Sequence, residues 1–278
     1  MGRTILITGS TDGLGKEVAR RLAVQGWHVL LHGRNPDKGN AVLTELIEGT
    51  GNSNLAYFNA DLASLAEVKQ LSESVVSFTK HLDVLVNNAG IGPRTPDSTR
   101  TLSRDGVELF FLVNYLAGYL LTRELLPLLK ASAPSRIINV SSLAQAPVRF
   151  GDVMLEENYD DGFAYRQSKL AQILHTNDLT DLLTGTGVTA NSLHPATLMS
   201  TKMVSDSTVL SDSMTTVEDG ADALERLITS EALKSQSGLY FDSLDEARAD
   251  DQAYDANARS ELRQLSEELV QAGLTIPE

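Results

Sequence analysis

Arg3-Thr4-Ile5-Leu6-Ile7-Thr8 runs directly into Gly9-Ser10-Thr11-Asp12-Gly13-Leu14-Gly15, and the reading of this stretch decides the fold. The first half is an unbroken series of aliphatic and β-branched residues, which reads as a short buried strand. After the glycines, Leu14, Val18, Leu22 and Ala23 fall on one stripe of a helix, and Gly26 is placed to stop it. A strand that feeds a glycine-rich turn and then a helix is the geometry of dinucleotide binding. The glycines let the backbone turn sharply and approach a pyrophosphate, which rests on the positive end of the helix. The alternative is a plain strand-to-helix turn.

Strand and helix patterns alternate through the rest of the chain. Strands are expected at residues 3–8, 28–32, 54–59, 82–87, 135–141, 188–193 and 238–241, with helices between them and a last helix over Ala256–Ala272. Such alternation predicts an α/β fold with one doubly wound, central parallel sheet of about seven strands. The 278 residues contain no Pro/Gly/Ser linker, repeat or low-complexity stretch, so residues 1–278 read as a single domain.

Composition excludes several functions. A formal net charge of −14 repels nucleic-acid phosphates. With no cysteine, disulfides and thiolate metal sites are ruled out, in keeping with a cytoplasmic protein. The five histidines, His28, His32, His81, His175 and His194, show no ligand spacing, and no metal site is expected. The first strand is read almost at residue 1, so no signal segment is expected. The most apolar run, Leu109–Thr122, is too short to cross a bilayer and contains Asn114. It reads as a buried helix that could also pack on a second subunit, in a homodimer or homotetramer. No membrane role is expected.

A second stretch carries chemistry. Tyr165-Arg166-Gln167-Ser168-Lys169 lies in a helical run, Phe163–Leu183, which puts Tyr165 and Lys169 on one face, one turn apart. An ammonium beside a phenol favours the phenolate and lowers its pKa toward the working range of a general acid–base. Such a pair also occurs on ordinary solvated helix faces.

Together these motifs resemble the short-chain dehydrogenase/reductase family over nearly the whole chain. Residues 8–15 match that family's TGxxxGxG turn, Asn87-Asn88-Ala89-Gly90 its NNAG motif, and Tyr165 and Lys169 its YxxxK. Asn114, in a helix expected at Val107–Leu129, and Ser142, after a strand at Arg136–Val140, stand where the family keeps a catalytic asparagine and serine. The Phe163-Ala164-Tyr165 lead-in, the long insert between Ser142 and Tyr165, and Gly238-Leu239-Tyr240-Phe241 resemble the retinol-dehydrogenase-like branch. Some of that branch carry a membrane anchor, and none is expected here.

The resemblance implies a Rossmann-type enzyme that moves a hydride between a nicotinamide cofactor and a carbonyl compound or alcohol. Tyr165 would exchange the proton, Lys169 would lower its pKa and hold the ribose, Ser142 would fix the substrate oxygen, and Asn114 would support a water-linked proton path. Gly9, Ser10, Thr11, Asp12, Gly13, Leu14 and Gly15 would bind cofactor, with Asn88, Ala89, Gly90, Tyr165, Lys169 and Pro195. Asp61 and Leu62 would lie against adenine, and Ser200 near the carboxamide or pyrophosphate. Each has a plainer reading. Ser142 could be a turn residue, Asn114 a backbone partner, Asp61 a helix N-cap, Asn88 a bridge between strands, and His194 structural. Pro195-Ala196 departs from the family's Pro-Gly and should restrict the loop there.

Cofactor choice turns on Val29-Leu30-Leu31-His32-Gly33-Arg34-Asn35. NAD enzymes of this fold place an acid near this strand end. Arg34 stands there instead and can pair with a 2′-phosphate, which predicts NADP over NAD. Asp12 would oppose that phosphate, and Arg34 could be an ordinary solvated residue. Substrate contacts are expected from Leu143–Gly162, with Ala146, Pro147, Val148, Phe150, Val153, Met154 and Leu155, and from a variable loop at 196–217. The loop, with Leu198, Met199, Met203, Val204, Val209, Leu210 and Met214, is expected to act as a lid. Both segments suit a lipophilic carbonyl or alcohol, with Glu156, Glu157, Asp160 and Asp161 solvated. Reduction of an activated C=C bond is the alternative chemistry. A catalytically silent nucleotide sensor is the alternative class, disfavoured because Tyr165 and Lys169 are both present.

Overall fold

The computed structural model describes residues 2–93, 99–197 and 215–275. Ser200, the apolar residues expected from 198 to 214 and most of the expected lid lie outside the described residues.

The strands are β1 (Thr4–Ile7), β2 (His28–Gly33), β3 (Leu55–Asn59), β4 (Val84–Asn87), β5 (Ser135–Val140), β6 (Val188–His194), β7 (Tyr240–Asp242) and β8 (Asp245–Ala247). They form one sheet in the order β3-β2-β1-β4-β5-β6-β7-β8. All pairings are parallel except β7 with β8. The helices are α1 (Gly13–Val24), α2 (Pro36–Thr50), α3 (Leu65–Phe78), α4 (Ala117–Ala131), α5 (Asp161–Leu182), α6 (Val217–Thr229) and α7 (Ala256–Leu274). Among the described residues, no helix is long and apolar enough to cross a membrane.

The period of two in each strand sorts the core into two layers. Ile5, Ile7, Val29, Leu31, Val84 and Val86 pack with Leu14, Val18 and Leu22 of α1, Leu46 of α2 and Leu224 of α6. Leu6, Leu30, Leu85 and Ile137 point the other way, into Leu71 of α3, Leu121 of α4, Leu174 of α5 and Leu262 of α7. A sheet covered on both faces leaves the carboxyl ends of its strands as the open side. There, residues 8–15 follow β1, residues 88–90 follow β4, Ser141 and Ser142 follow β5, and Pro195 follows β6. Because β1, β4, β5 and β6 are neighbours, these segments converge.

The fold differs from the sequence expectation in two places. An eighth strand, β8, closes the edge as a hairpin on β7, turning through Ser243 at φ 54°. Its Asp-Glu-Ala sequence carries no strand signal, but charge suits an exposed edge. The helix expected at Val107–Leu129 begins two residues later and winds one π-type turn, Phe111–Leu116, before α4. Single π turns recur at functional sites, and Asn114 sits in this one.

Candidate active site

The glycine turn is fixed by its neighbours. Gly9 has φ 65°, and a Cβ there would lie 2.9 Å from the Ala89 Cα. A Cβ on Gly15 would stand 2.5 Å from the Gly9 carbonyl oxygen and 2.7 Å from Asn88 Nδ2. Asn88 Nδ2 donates to the Thr8 carbonyl at 2.8 Å, while Thr8 Oγ1 accepts from the amides of Asn88 (2.9 Å) and Ala89 (3.0 Å). Asn88 therefore bridges β1 and β4, as its plainer reading held, and in doing so holds the turn. Ser10 is wholly buried, and its hydroxyl donates to Ile7 O and accepts from His32 N. The side chains of Leu14 and Leu62 enter the core, which leaves their backbone for any ligand.

Asp12 caps α1, its Oδ1 accepting from Gly13 N at 2.8 Å. Its Oδ2 receives Lys38 Nζ at 2.5 Å, a pairing that holds the carboxyl below its ordinary range. Lys38, which the sequence did not single out, thus neutralises the charge that would oppose a phosphate. The Thr11 side chain lies against Gly33, where a Cβ would come within 2.7 Å of it. Arg34 follows at the end of β2, exposed and in no ion pair with a described residue. Asp61 Oδ1 accepts from Ala63 N at 3.0 Å, whereas the N-cap of α3 is Ser64.

At the ends of β4 and β5 the catalytic candidates meet. Lys169 is 3% exposed, and its Nζ donates to Val140 O at 3.0 Å and Gln172 Oε1 at 3.2 Å. Ser141 Oγ donates to Lys169 O at 2.7 Å, which docks α5 on the end of β5. Asn114 Oδ1 accepts from Ile91 N (2.8 Å), and its Nδ2 donates to Ile91 O (3.1 Å) and Ser168 Oγ (3.0 Å). This side chain ties the segment after β4 to the turn of α5 that carries Tyr165. Gly90 lies between, where a Cβ would be 3.1 Å from Asn114 Oδ1 and 3.5 Å from Lys169 Nζ. Ser142 is buried, its Oγ accepting from Ala144 N and its carbonyl accepting from Tyr240 Oη at 3.1 Å. His194 Nε2 pairs with Thr197 Oγ1 at 3.1 Å, and Ser243 N donates to its carbonyl, a structural setting beside Pro195.

One electrostatic expectation is reversed. The Tyr165 phenol is pushed above its ordinary value by burial, with the Ser142 hydroxyl acting the other way. The Lys169 ammonium lies 5.7 Å from the centre of the Tyr165 ring, spends its donors on Val140 and Gln172, and does not lower the phenol as anticipated. Burial instead brings Lys169 itself down to about 8. The half-buried Tyr165 packs on a small satellite core of Phe110, Leu155 and Ala164. Leu155 holds φ 50°, a conformation costly for a bulky side chain.

The insert 143–162 also departs from its reading. Ala146, Val148, Val153 and Leu155 are core residues, while Leu143, next to Ser142, is 48% exposed. Glu156, Glu157 and Asp160 face solvent, but Asp161 is buried in the first turn of α5, where the helix dipole favours a carboxylate. Glu108, which sequence reasoning missed, is fully buried. It accepts from Phe110 N, Phe111 N and Tyr159 Oη, joining the π turn to the insert.

The residues suit a dinucleotide. The amino end of α1 follows directly on a turn whose glycines keep the backbone bare, Arg34 is exposed and pairs with no acid among the described residues, and an ammonium and a phenol close the far end.

Comparison with known proteins agrees with this geometry. The model of the short chain dehydrogenase family matches residues 3–209. The chain is 36% identical to retinol dehydrogenase 13 of Homo sapiens over 292 residues, covering 99% of this chain and 86% of the relative. It is also 36% identical to Homo sapiens retinol dehydrogenase 12, covering 86% and 77%. Among solved structures, a Mycobacterium paratuberculosis protein superposes with TM-score 0.79 at 27% identity, over 97% of this chain and 93% of that one. A short chain dehydrogenase from Shigella flexneri 2a str. 301, complexed with NADP, gives TM-score 0.71 at 26% identity, over 87% and 97%.

Proposed function

Because this chain belongs to the short chain dehydrogenase family and is an NAD(P)-dependent oxidoreductase of alcohols and carbonyls, we propose that it interconverts a lipophilic carbonyl compound and its alcohol, with NADP(H) preferred. The observation that carries this reading is the convergence of Ser142, Tyr165 and Lys169 on the open ends of β4 and β5, next to the glycine turn after β1.

A bound nicotinamide supplies or accepts the hydride. Residues 9–15 and the first turn of α1 would hold its pyrophosphate, Asp61 its adenine, and Tyr165 with Lys169 its inner ribose. Tyr165 gives its phenolic proton to the carbonyl oxygen in reduction and recovers it in oxidation. A phenol kept protonated by burial is ready to act as the acid in reduction. Ser142 donates a hydrogen bond to the same oxygen and stabilises charge developing there. The Lys169 ammonium, 5.7 Å from the centre of the phenol ring, favours its ionised form once its donors turn toward ligand. Asn114 positions: its amide bonds Ile91 and Ser168 and so fixes the site's floor.

Arg34, exposed and without an ion-pair partner among the described residues, and the Lys38-neutralised Asp12 support the preference for NADP. The exposed Leu143 beside Ser142, and the retinol dehydrogenases among the relatives, support a lipophilic substrate. The test is NADPH and NADH oxidation against a panel of retinoids, sterols, aliphatic aldehydes and aromatic ketones. Turnover confined to polar carbonyls, or efficiency with NADH equal to that with NADPH, contradicts the finer reading.

A further inference from the structure

His32 is buried in β2, 2% exposed, and each ring nitrogen has a backbone partner on a different side. Nδ1 faces the Gly9 amide at 3.2 Å, and Nε2 faces the Ala60 carbonyl at 3.1 Å. An amide N–H can only donate and a carbonyl can only accept. The neutral tautomer with its proton on Nε2 is the form that satisfies both. Burial holds the ring to about 4, which keeps it neutral near pH 7 despite the nearby Asp61 carboxylate.

The backbone of His32 is bound to the same turn. Ser10 N donates to His32 O at 2.9 Å, and His32 N donates to Ser10 Oγ at 2.9 Å. β1 ends at Ile7, so the Gly9 amide has no place in a strand ladder, and the imidazole is the partner that holds it at φ 65°. On the other side, Ala60 immediately precedes Asp61, and Ala60 N bonds Gly33 O. One ring therefore laces together the ends of β1, β2 and β3.

We propose that His32 is a positioning residue for the dinucleotide, setting the distance between the pyrophosphate turn at Gly9 and the adenine-side segment at Ala60 and Asp61. The proposal rests on the assignment of residues 9–15 as the cofactor turn.

Two substitutions separate the halves of the device. In His32→Asn the amide oxygen can take the place of Nδ1 and keep the Gly9 bond. In His32→Gln the amide nitrogen can reach the place of Nε2 and keep only the Ala60 bond. Each variant is titrated with NADPH and with NADH by calorimetry, without substrate, and melted in the free state. The expected result is a dissociation constant within threefold of wild type for Asn and raised about tenfold for Gln, with similar melting temperatures for the two. Equal affinities in all three proteins, or equal weakening in both variants, overturn the proposal, since His32 would then act by packing alone. A wild-type protein that binds neither nucleotide instead overturns the assignment of the turn. A second measurement needs no variant to fold: 15N spectra of the imidazoles in the wild-type protein at pH 7. A buried ring protonated on Nε2 with Nδ1 as acceptor is expected, and absence of such a ring overturns the proposal.

Discussion

Replacing Lys169 by Met should change how the stability of the ligand-free protein depends on alkaline pH. The ammonium is 3% exposed, and burial lowers it from the ordinary 10.5 to about 8. In the unfolded chain it titrates at the ordinary value. Below pH 8 both states carry the proton, and the folded state bears the full cost of the buried charge. Between about 8 and 10.5 the folded state releases its proton first, so the cost fades as pH rises, and above 10.5 it is gone. At about 1.4 kcal/mol per pH unit the difference is worth about 3 kcal/mol. The bonds to Val140 O and Gln172 Oε1 are lost in the Met variant, but that loss is nearly independent of pH. The quantity to measure is therefore the stability of wild type minus that of Lys169→Met, from denaturant unfolding at pH 7 and at pH 10. Wild type should gain about 2 to 3 kcal/mol on the variant across this range. A difference that stays flat would mean that the ammonium keeps its ordinary pKa, and the account of Lys169 as a desolvated ammonium would fail.

Two further substitutions test the neighbouring assignments. Ser142→Ala should lower turnover by about 10²- to 10³-fold with little change in cofactor affinity, as expected for loss of one donor to a developing oxyanion. A fall in cofactor affinity with turnover intact would show the serine to be part of the nucleotide site instead. Arg34→Leu should weaken NADPH by roughly ten- to a hundred-fold while leaving NADH unchanged, the worth of charge-assisted bonds to one phosphate. Equal losses for both nucleotides, read from dissociation constants, would remove Arg34 from that role.

The sheet was readable because its central strands are buried on both faces, Thr4–Ile7 and Val84–Asn87 as short aliphatic runs and Val188–His194 with polar residues among the apolar ones. The glycine turn, Ser142, Tyr165 and Lys169 were readable because their spacing is tied to local geometry, one turn of helix or one strand end. What escaped was set by tertiary contact. β8 is short and charged, so nothing local marks it as a strand. The π turn at Phe111–Leu116 has the same apolar sequence an α-helix would have. Glu108 looks like a solvated acid and is instead buried with Phe110, Phe111 and Tyr159 as partners. His32 looks like a lone histidine in a core strand, and its two backbone partners appear only when Gly9 and Ala60 are brought to either side of it. Likewise, the direction of the Tyr165 shift depends on burial and on where the Lys169 donors point, neither of which the YxxxK spacing specifies.

The central claim is that Tyr165 is the proton donor and acceptor of a nicotinamide-dependent carbonyl–alcohol interconversion. Its most direct test compares wild type and Tyr165→Phe in oxidation of NADPH, followed by absorbance, on the best substrate of the carbonyl panel, with NADPH affinity measured in parallel. The account predicts that the Phe variant binds NADPH as wild type does and loses turnover by about 10²- to 10⁴-fold. A Phe variant that keeps more than half of the wild-type rate would contradict it.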